Sequence, residues 1–277
     1  MTSAADRWAH QLEAWAIPDE ILATAPESPW GFRPSMFRAP DPDDGSDGCS
    51  RRRALEALPD AGTLLDVGAG GGAASLPVAV AVAGGARQVV AVDESADMLA
   101  ALAARADELG VAHVEVVGRW PDVADQVGPA DVVVCHHVAY NVAALAPFAL
   151  ALTDHARRRV VMELTVAHPR ADLAPLWRHF HHLERPAGPT ADDAVAVLVE
   201  AGLDVSAETF VAPARPGRDR AEWVALMRRA LCLTADRDGE IDALLPAGAE
   251  LGPRHVVALW WPGSAGEDGD VRARPAR

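Results

Sequence analysis

Short apolar runs alternate with amphipathic stretches from residue 51 to residue 164, and this alternation restricts the fold more than any other feature. Gly62–Val67, Gln88–Asp93, His113–Val117, Asp131–Cys135 and Arg159–Leu164 are brief, Val-rich and mostly apolar. Runs of that kind suit strands buried on both faces, because a strand with one wet face alternates polar and apolar residues. Arg51–Leu58, Ala73–Ala83, Ser95–Gly110 and Ala143–His155 lie between or beside them and read as helices. Strand, helix, strand order with right-handed crossovers predicts an α/β protein with a doubly wound, mostly parallel sheet. After an interruption the pattern resumes with a helix at Asp192–Ala201, a strand at Leu203–Phe210, helix at Arg218–Leu245 and a last strand at His255–Trp261.

The flanks differ in character. Trp8, Leu12 and Trp15 recur at helical spacing near the start, and Ile17-Pro18 ends that helix because the residue before proline avoids helical dihedrals. Trp30, Phe32 and Phe37 follow in a Pro- and Gly-rich stretch. Residues 1–50 are therefore expected to form an N-terminal helical cap and linker, residues 51–262 the core, and residues 263–277 a disordered tail. A second cap element is expected at residues 169–189, inserted after strand five.

Composition narrows the function. A net charge of −15 opposes broad nucleic-acid binding, which needs clustered cations; Arg51–Arg53 and Arg157–Arg159 are the short basic runs. The chain has no lysine, which removes Schiff-base chemistry. Its apolar stretches are too short to span a membrane, and Met1–His10 lacks the apolar core of a secretory signal. Cys49, Cys135 and Cys232 lie far apart, which fits a reducing cytoplasm rather than a disulfide framework.

The densest signal is Leu64-Leu65-Asp66-Val67-Gly68-Ala69-Gly70-Gly71-Gly72-Ala73, a strand running through glycines into a helix. Such a turn lets backbone approach a ligand at the carboxyl edge of the sheet. Gly68, Gly70 and Ala73 also satisfy a dinucleotide fingerprint, but Asp66 would repel a pyrophosphate and could instead receive an ammonium. Asp93 ends the next strand, where a carboxylate can chelate two ribose hydroxyls.

Asp66–Gly72 resembles the first motif of the class I S-adenosylmethionine-dependent methyltransferases. Val92-Asp93-Glu94-Ser95-Ala96-Asp97-Met98-Leu99 resembles their second motif. Ala130–Val134 is similar to their fourth strand, and Glu200-Ala201-Gly202-Leu203 to the turn before strand six. The resemblance spans about residues 51–262 and implies a Rossmann-like, seven-stranded sheet with an antiparallel last strand. It implies S-adenosylmethionine as cofactor, with Gly68, Ala69, Gly70 and Gly72 around the methionine and ribose and Asp93 on the ribose hydroxyls. Glu94 and Met98 would flank the adenine. Asp66, Arg119 and Cys135 join the expected cofactor contacts, and Trp120 is either an adenine platform or a core residue. Arg51 and Arg53 either reach the methionine carboxylate or are solvated helix charges.

The resemblance places the acceptor over the ends of strands four and five. Cys135-His136-His137-Val138-Ala139-Tyr140-Asn141 has neither the Asn/Asp-Pro-Pro-Tyr/Phe motif of amine methylation nor the paired acids of metal-dependent catechol enzymes. A nucleophile that starts protonated needs a base, and imidazole suits that at neutral pH. His136 or His137 is the candidate base, the other capping the strand, with Tyr140 beside them. Asn141, Glu163, Trp30, Phe32 and Trp177 are candidate acceptor contacts. His179, His181 and His182 spread around their helix without an i, i+4 pair, so no metal is expected. A small-molecule acceptor is expected, against a protein or RNA substrate or a non-catalytic S-adenosylmethionine-binding role. Oligomeric state is not legible.

Overall fold

The computed structural model describes residues 2–30, 48–82, 85–86, 88–212, 219–246 and 254–266. The strands β1 (Thr63–Val67), β2 (Gln88–Asp93), β3 (His113–Val117), β4 (Ala130–His136), β5 (Ala156–Thr165), β6 (Ser206–Ala212) and β7 (Arg254–Pro262) form one seven-stranded sheet in the order β3-β2-β1-β4-β5-β7-β6. The first five strands pair in parallel, and β7 runs antiparallel to both β5 and β6. The order reverses beside β1, so the ends of β1 and β4 border the switch-point crevice where ligands of such sheets bind.

Period-two alternation divides the strands between two apolar layers. Leu65, Val67, Val133, Cys135, Met162 and Leu164 point to one face, and Leu64, Val132, Val134 and Val161 to the other. The first face is covered by α1 (Ala4–Glu13), α6 (Leu145–Asp154) and α8 (Ala191–Glu200). The second is covered by α3 (Cys49–Ala57), α4 (Leu76–Ala81) and α5 (Ala96–Leu109). A Thr190/Asp193 capping box starts α8, and Gly110, at φ 68°, closes α5 in the left-handed conformation that glycine adopts without cost.

Helix α1 belongs to the core. Trp8 is fully buried, stacks on Tyr140 and donates its indole N–H to Val142 O at 2.8 Å, while Ala4 N–H donates to Glu200 Oε2. Beyond α1, a helical cap gathers at the carboxyl edge. Ile17, Ile21 and Leu22, on and beside α2 (Asp19–Leu22), pack on Trp177, Leu176 and Phe180 of α7 (Ala174–His181) and on Leu231 and Cys232. Trp223, Val224 and Met227 of α9 (Arg220–Ala230) join Ile241 of α10 (Asp238–Leu244) in an adjoining cluster.

Several boundaries differ from the sequence expectations. The helix expected at Ala73–Ala83 starts only at Leu76, because residues 73–75 remain in the turn that carries Ser75 to Asp66. The helical stretch expected near Arg218–Leu245 consists of two helices, separated where Cys232 takes φ 56°. The sixth strand begins at Ser206, since Leu203 is spent as a core plug in the preceding turn. Beyond β7, Gly263 and Ala265 donate backbone bonds to Arg158 and Ala156 of β5, and Ser264 donates to Thr153 at the end of α6. The rest of the expected tail, from 267, lies outside the described residues.

Candidate active site

The glycine loop leaves β1 in a conformation closed to other residues. Gly68, Gly70 and Gly72 have φ of 71°, 51° and 81°. A Cβ on Gly68 would also stand 2.2 Å from Val138 Cγ2, so the turn after β4 packs directly on the loop. Gly68 and Ala69 donate to Val92 O at 2.8 and 3.1 Å. Asp93 completes the clamp, its Oδ2 accepting from Gly70 N–H and its Oδ1 from Ser95 N–H, both at 2.9 Å. Each carboxylate oxygen keeps a second lone pair for a ligand hydroxyl.

Asp66 lies beneath this loop, wholly buried. Its Oδ2 accepts from Ser75 Oγ at 2.6 Å, and its Oδ1 has no hydrogen-bond partner. Burial, with the Asp93 charge adding, pushes its carboxyl up to about 7 against the lowering effect of Ser75. A cation over the loop would relieve that strain on the charged form.

The remaining expected cofactor residues separate. Glu94 and Arg119 form an exposed ion pair at 3.7 Å on the rim, and Met98 is buried at the start of α5. Trp120 lies in the core, edge-on to His155 at 4.9 Å between ring centroids, the second of its two expected placements. Cys135 is equally buried; burial, with the Asp66 charge adding, drives its thiol well above the usual range. Its side chain therefore faces the core and not the loop. Arg53 pairs with Glu56 and Glu208 and lies over Trp260, so its guanidinium is held on the surface of α3.

At the ends of β4 and β5, His136 sits opposite Glu163 in the register. His136 is partly buried with its Nε2 shut off from solvent and unpartnered, and burial lowers its basicity against the opposing pull of Glu163. His137 terminates the strand at φ 60°, stays partly exposed and points Nε2 at Glu163 Oε1, 3.2 Å away. Burial alone would raise Glu163, but the His136 charge and the His137 hydrogen bond outweigh it and hold the carboxyl at about 2. The Ser50 hydroxyl lies beside it without a well-formed hydrogen bond. Tyr140 donates its hydroxyl to Thr165 O at 2.8 Å, and burial raises its pKa, so the phenol is committed to structure and is not available as a base.

A cavity of about 760 Å³ opens on the far side of this turn, between α1 and the loops that follow β4 and β5. Trp15, Trp30, Tyr140, Asn141, His168 and Arg170 contribute to its wall. His168 stacks on Trp15 at 3.9 Å, and Arg170 lies over Trp30 at 3.9 Å. Neither the glycine loop nor His137 lines the cavity; Tyr140 and Asn141 connect the two regions along one turn. Trp30 and Asn141, both expected as acceptor contacts, line this cavity. Trp177 does not: it is the buried centre of the cap. Phe32 falls outside the described residues. The α7 histidines have separate partners, His179 meeting Glu240 and His181 meeting Leu231 O.

Sequence reasoning missed Arg170, His168 and the α9–α10 part of the cap. The available signal for the first two was position, since residues just beyond the carboxyl end of a parallel strand face the crevice.

Residues 64–158 match a family model described as a methyltransferase domain. No curated protein matches the chain in sequence. Among solved structures, one from work on conversion of a disulfide bond into a thioacetal group during echinomycin biosynthesis is 19% identical, with 86% of this chain and 88% of that one covered at a TM-score of 0.52. A Bacillus halodurans C-125 protein described as a candidate methyltransferase is 17% identical, with 79% and 98% covered at a TM-score of 0.51. The Synechocystis PCC 6803 magnesium protoporphyrin IX methyltransferase, solved with bound SAH, is 17% identical over 77% and 78% at a TM-score of 0.47.

Proposed function

We propose that this chain, which carries the fold and the methyltransferase domain of the class I S-adenosylmethionine-dependent enzymes, methylates a small molecule that enters through the cavity beside α1. The observation that carries the proposal is the continuous turn from His137 to Asn141, with one end on the glycine loop and the other in an aromatic-walled cavity.

S-adenosylmethionine is the cofactor, and when bound it supplies an electrophilic methyl group on a sulfonium, whose thioether leaves without a proton. The residues present fit it. The three positive-φ glycines allow close backbone approach, Asp93 has lone pairs free for ribose hydroxyls, and Asp66 keeps an unpartnered oxygen below the loop.

His137 is the better candidate for the base. Glu163 faces Nε2 at 3.2 Å and favours the tautomer with its proton there, leaving the Nδ1 lone pair to take a proton. That proton would come from a hydroxyl, amine or thiol of an acceptor that reaches past Tyr140 and Asn141, since His137 itself does not line the cavity. The Nε2 of His136 is shut off from solvent, and its ring stands opposite Glu163 in the strand pairing, where it supports the carboxylate. Positioning supplies the larger part of the acceleration in such a displacement. The aromatic lining from Trp15, Trp30 and Tyr140 supports a small acceptor with an apolar body, and the net charge of −15 disfavours RNA.

The test is transfer of labelled methyl from S-adenosylmethionine into a cell extract, followed by size separation. Label is expected in the small-molecule fraction. Label confined to protein or RNA would overturn the acceptor class, and binding of cofactor without any transfer would favour a non-catalytic role.

A further inference from the structure

Among the described residues, no carboxylate pairs with Arg170, a half-buried cation. Its guanidinium meets no hydrogen-bond acceptor among the described residues, whereas Arg53, Arg159 and Arg228 each hold a carboxylate. The Trp30 ring lies 3.9 Å from its guanidinium carbon at the cavity wall, a contact that leaves the N–H groups unspent. Arg185 adds a second positive charge nearby. It is itself anchored on the carbonyl oxygens of Trp15 and Ala16 and stacked between Trp15 and Trp177. Burial and this like-charge neighbour both work against the charge on Arg170. His168 cannot share the load, because burial and the two arginines hold it at about 4, neutral at physiological pH.

We propose that the acceptor carries an acidic oxygen group, a carboxylate or a phosphate, which Arg170 binds while Trp15, Trp30 and Tyr140 hold its apolar body. The proposal rests on the cavity being the acceptor site. It accounts for a cation stacked and preorganised at the wall of an apolar pocket, where an oxyanion would satisfy both its charge and its donors. Asp6 and Glu13 line the α1 wall of the same cavity, and neither forms an ion pair with Arg170. They would turn an acidic ligand so that its charged end faces Arg170.

The experiment uses the full chain saturated with S-adenosylhomocysteine. Binding is titrated for 4-hydroxybenzoate, indole-3-acetate and phenyl phosphate, with 4-hydroxybenzamide and indole-3-acetamide as neutral counterparts. The acids are expected to bind about ten-fold or more tightly than their amides, the range for hydrogen bonds to a charged group. Arg170→Gln should erase that preference while S-adenosylhomocysteine affinity stays at the wild-type value, which controls for folding. The benzoate and phosphate arms identify which oxyanion is preferred. Equal binding of acid and amide, acid preference that survives Arg170→Gln, or no acid binding at all overturns the proposal. Failure of the wild-type chain to bind S-adenosylhomocysteine would instead overturn the methyl-transfer function beneath it.

Discussion

Gly70 and Asp93 stand 23 residues apart in the chain and are joined by a 2.9 Å hydrogen bond from the glycine N–H to Oδ2. The partner oxygen of the same carboxylate takes the N–H of Ser95, which caps α5 through its own side chain. One side chain thus ties the ends of β1 and β2 together before any ligand arrives, and the same oxygens face the expected ribose.

Asp93→Ala should therefore weaken S-adenosylhomocysteine binding through both a lost acceptor and a loosened loop. Loss of a charge-assisted hydrogen bond is worth roughly 1.5–3 kcal/mol, or about 10–150-fold in Kd. Calorimetric titration of the variant decides it. An unchanged Kd would show that the clamp serves the loop alone and that ribose binds elsewhere.

The Asp66 carboxyl is raised to about 7 from its ordinary value of 3.8, which makes stability depend on pH in a specific direction. Between those values the folded state holds a proton that the unfolded state has released, so stability declines as pH rises through the window and levels off above it. Urea melts of the ligand-free chain across that range should show the decline, and Asp66→Asn should flatten it. A variant whose stability falls with pH as steeply as the wild type would rule out Asp66 as the source.

Glu163 behaves in the opposite sense. Its carboxyl is held at about 2 against an ordinary value of 4.5, so its contribution is fully present above the unfolded value and disappears as pH drops through the folded one. Near neutral pH its role is orientation of His137, 3.2 Å away. His137→Ala should cut methyl transfer by about 10²–10⁴-fold, the usual worth of a general base, with cofactor affinity intact. Glu163→Gln should lower turnover less and alter the pH–rate profile, because the tautomer is no longer favoured by a carboxylate. If His137→Ala turns over at the wild-type rate at every pH tested, proton removal falls to solvent or another group.

The sheet was legible because its strands are short, apolar and buried on both faces, so Leu64 to Val67 and Val132 to Cys135 could hardly be anything else. The cofactor loop was legible because positive φ at Gly68, Gly70 and Gly72 demands glycine itself. Rings were not. Composition cannot tell a tryptophan that closes a core from one that stacks on a ligand, and Trp120 and Trp177 were resolved only by what surrounds them. The two adjacent histidines were ambiguous for the same reason. Strand alternation turns His136 inward, and the left-handed backbone at His137 releases the second ring toward Glu163. Arg170 was hidden because its partner on the wall, Trp30, lies 140 positions away in the chain.

The N-terminal segment divides into two roles that one pair of substitutions can separate. The sequence is read as a helical cap and linker over residues 1–50, yet Trp8 is fully buried against Tyr140 and hydrogen-bonded to Val142, which makes α1 a fixed part of one face of the sheet. Trp30 is half exposed at the cavity and touches Arg170. Trp8→Ala should cost about 3–5 kcal/mol of stability, as removal of a large buried ring does, and should leave S-adenosylhomocysteine affinity unchanged wherever the chain is folded. Trp30→Ala should cost less than about 1 kcal/mol, because it opens no core cavity, but should reduce transfer of labelled methyl into the small-molecule fraction. Urea midpoints read the first effect and the extract assay the second. A Trp30→Ala chain with full transfer would restrict the segment to a structural role. A Trp8→Ala chain of wild-type stability would show that α1 does not close the core.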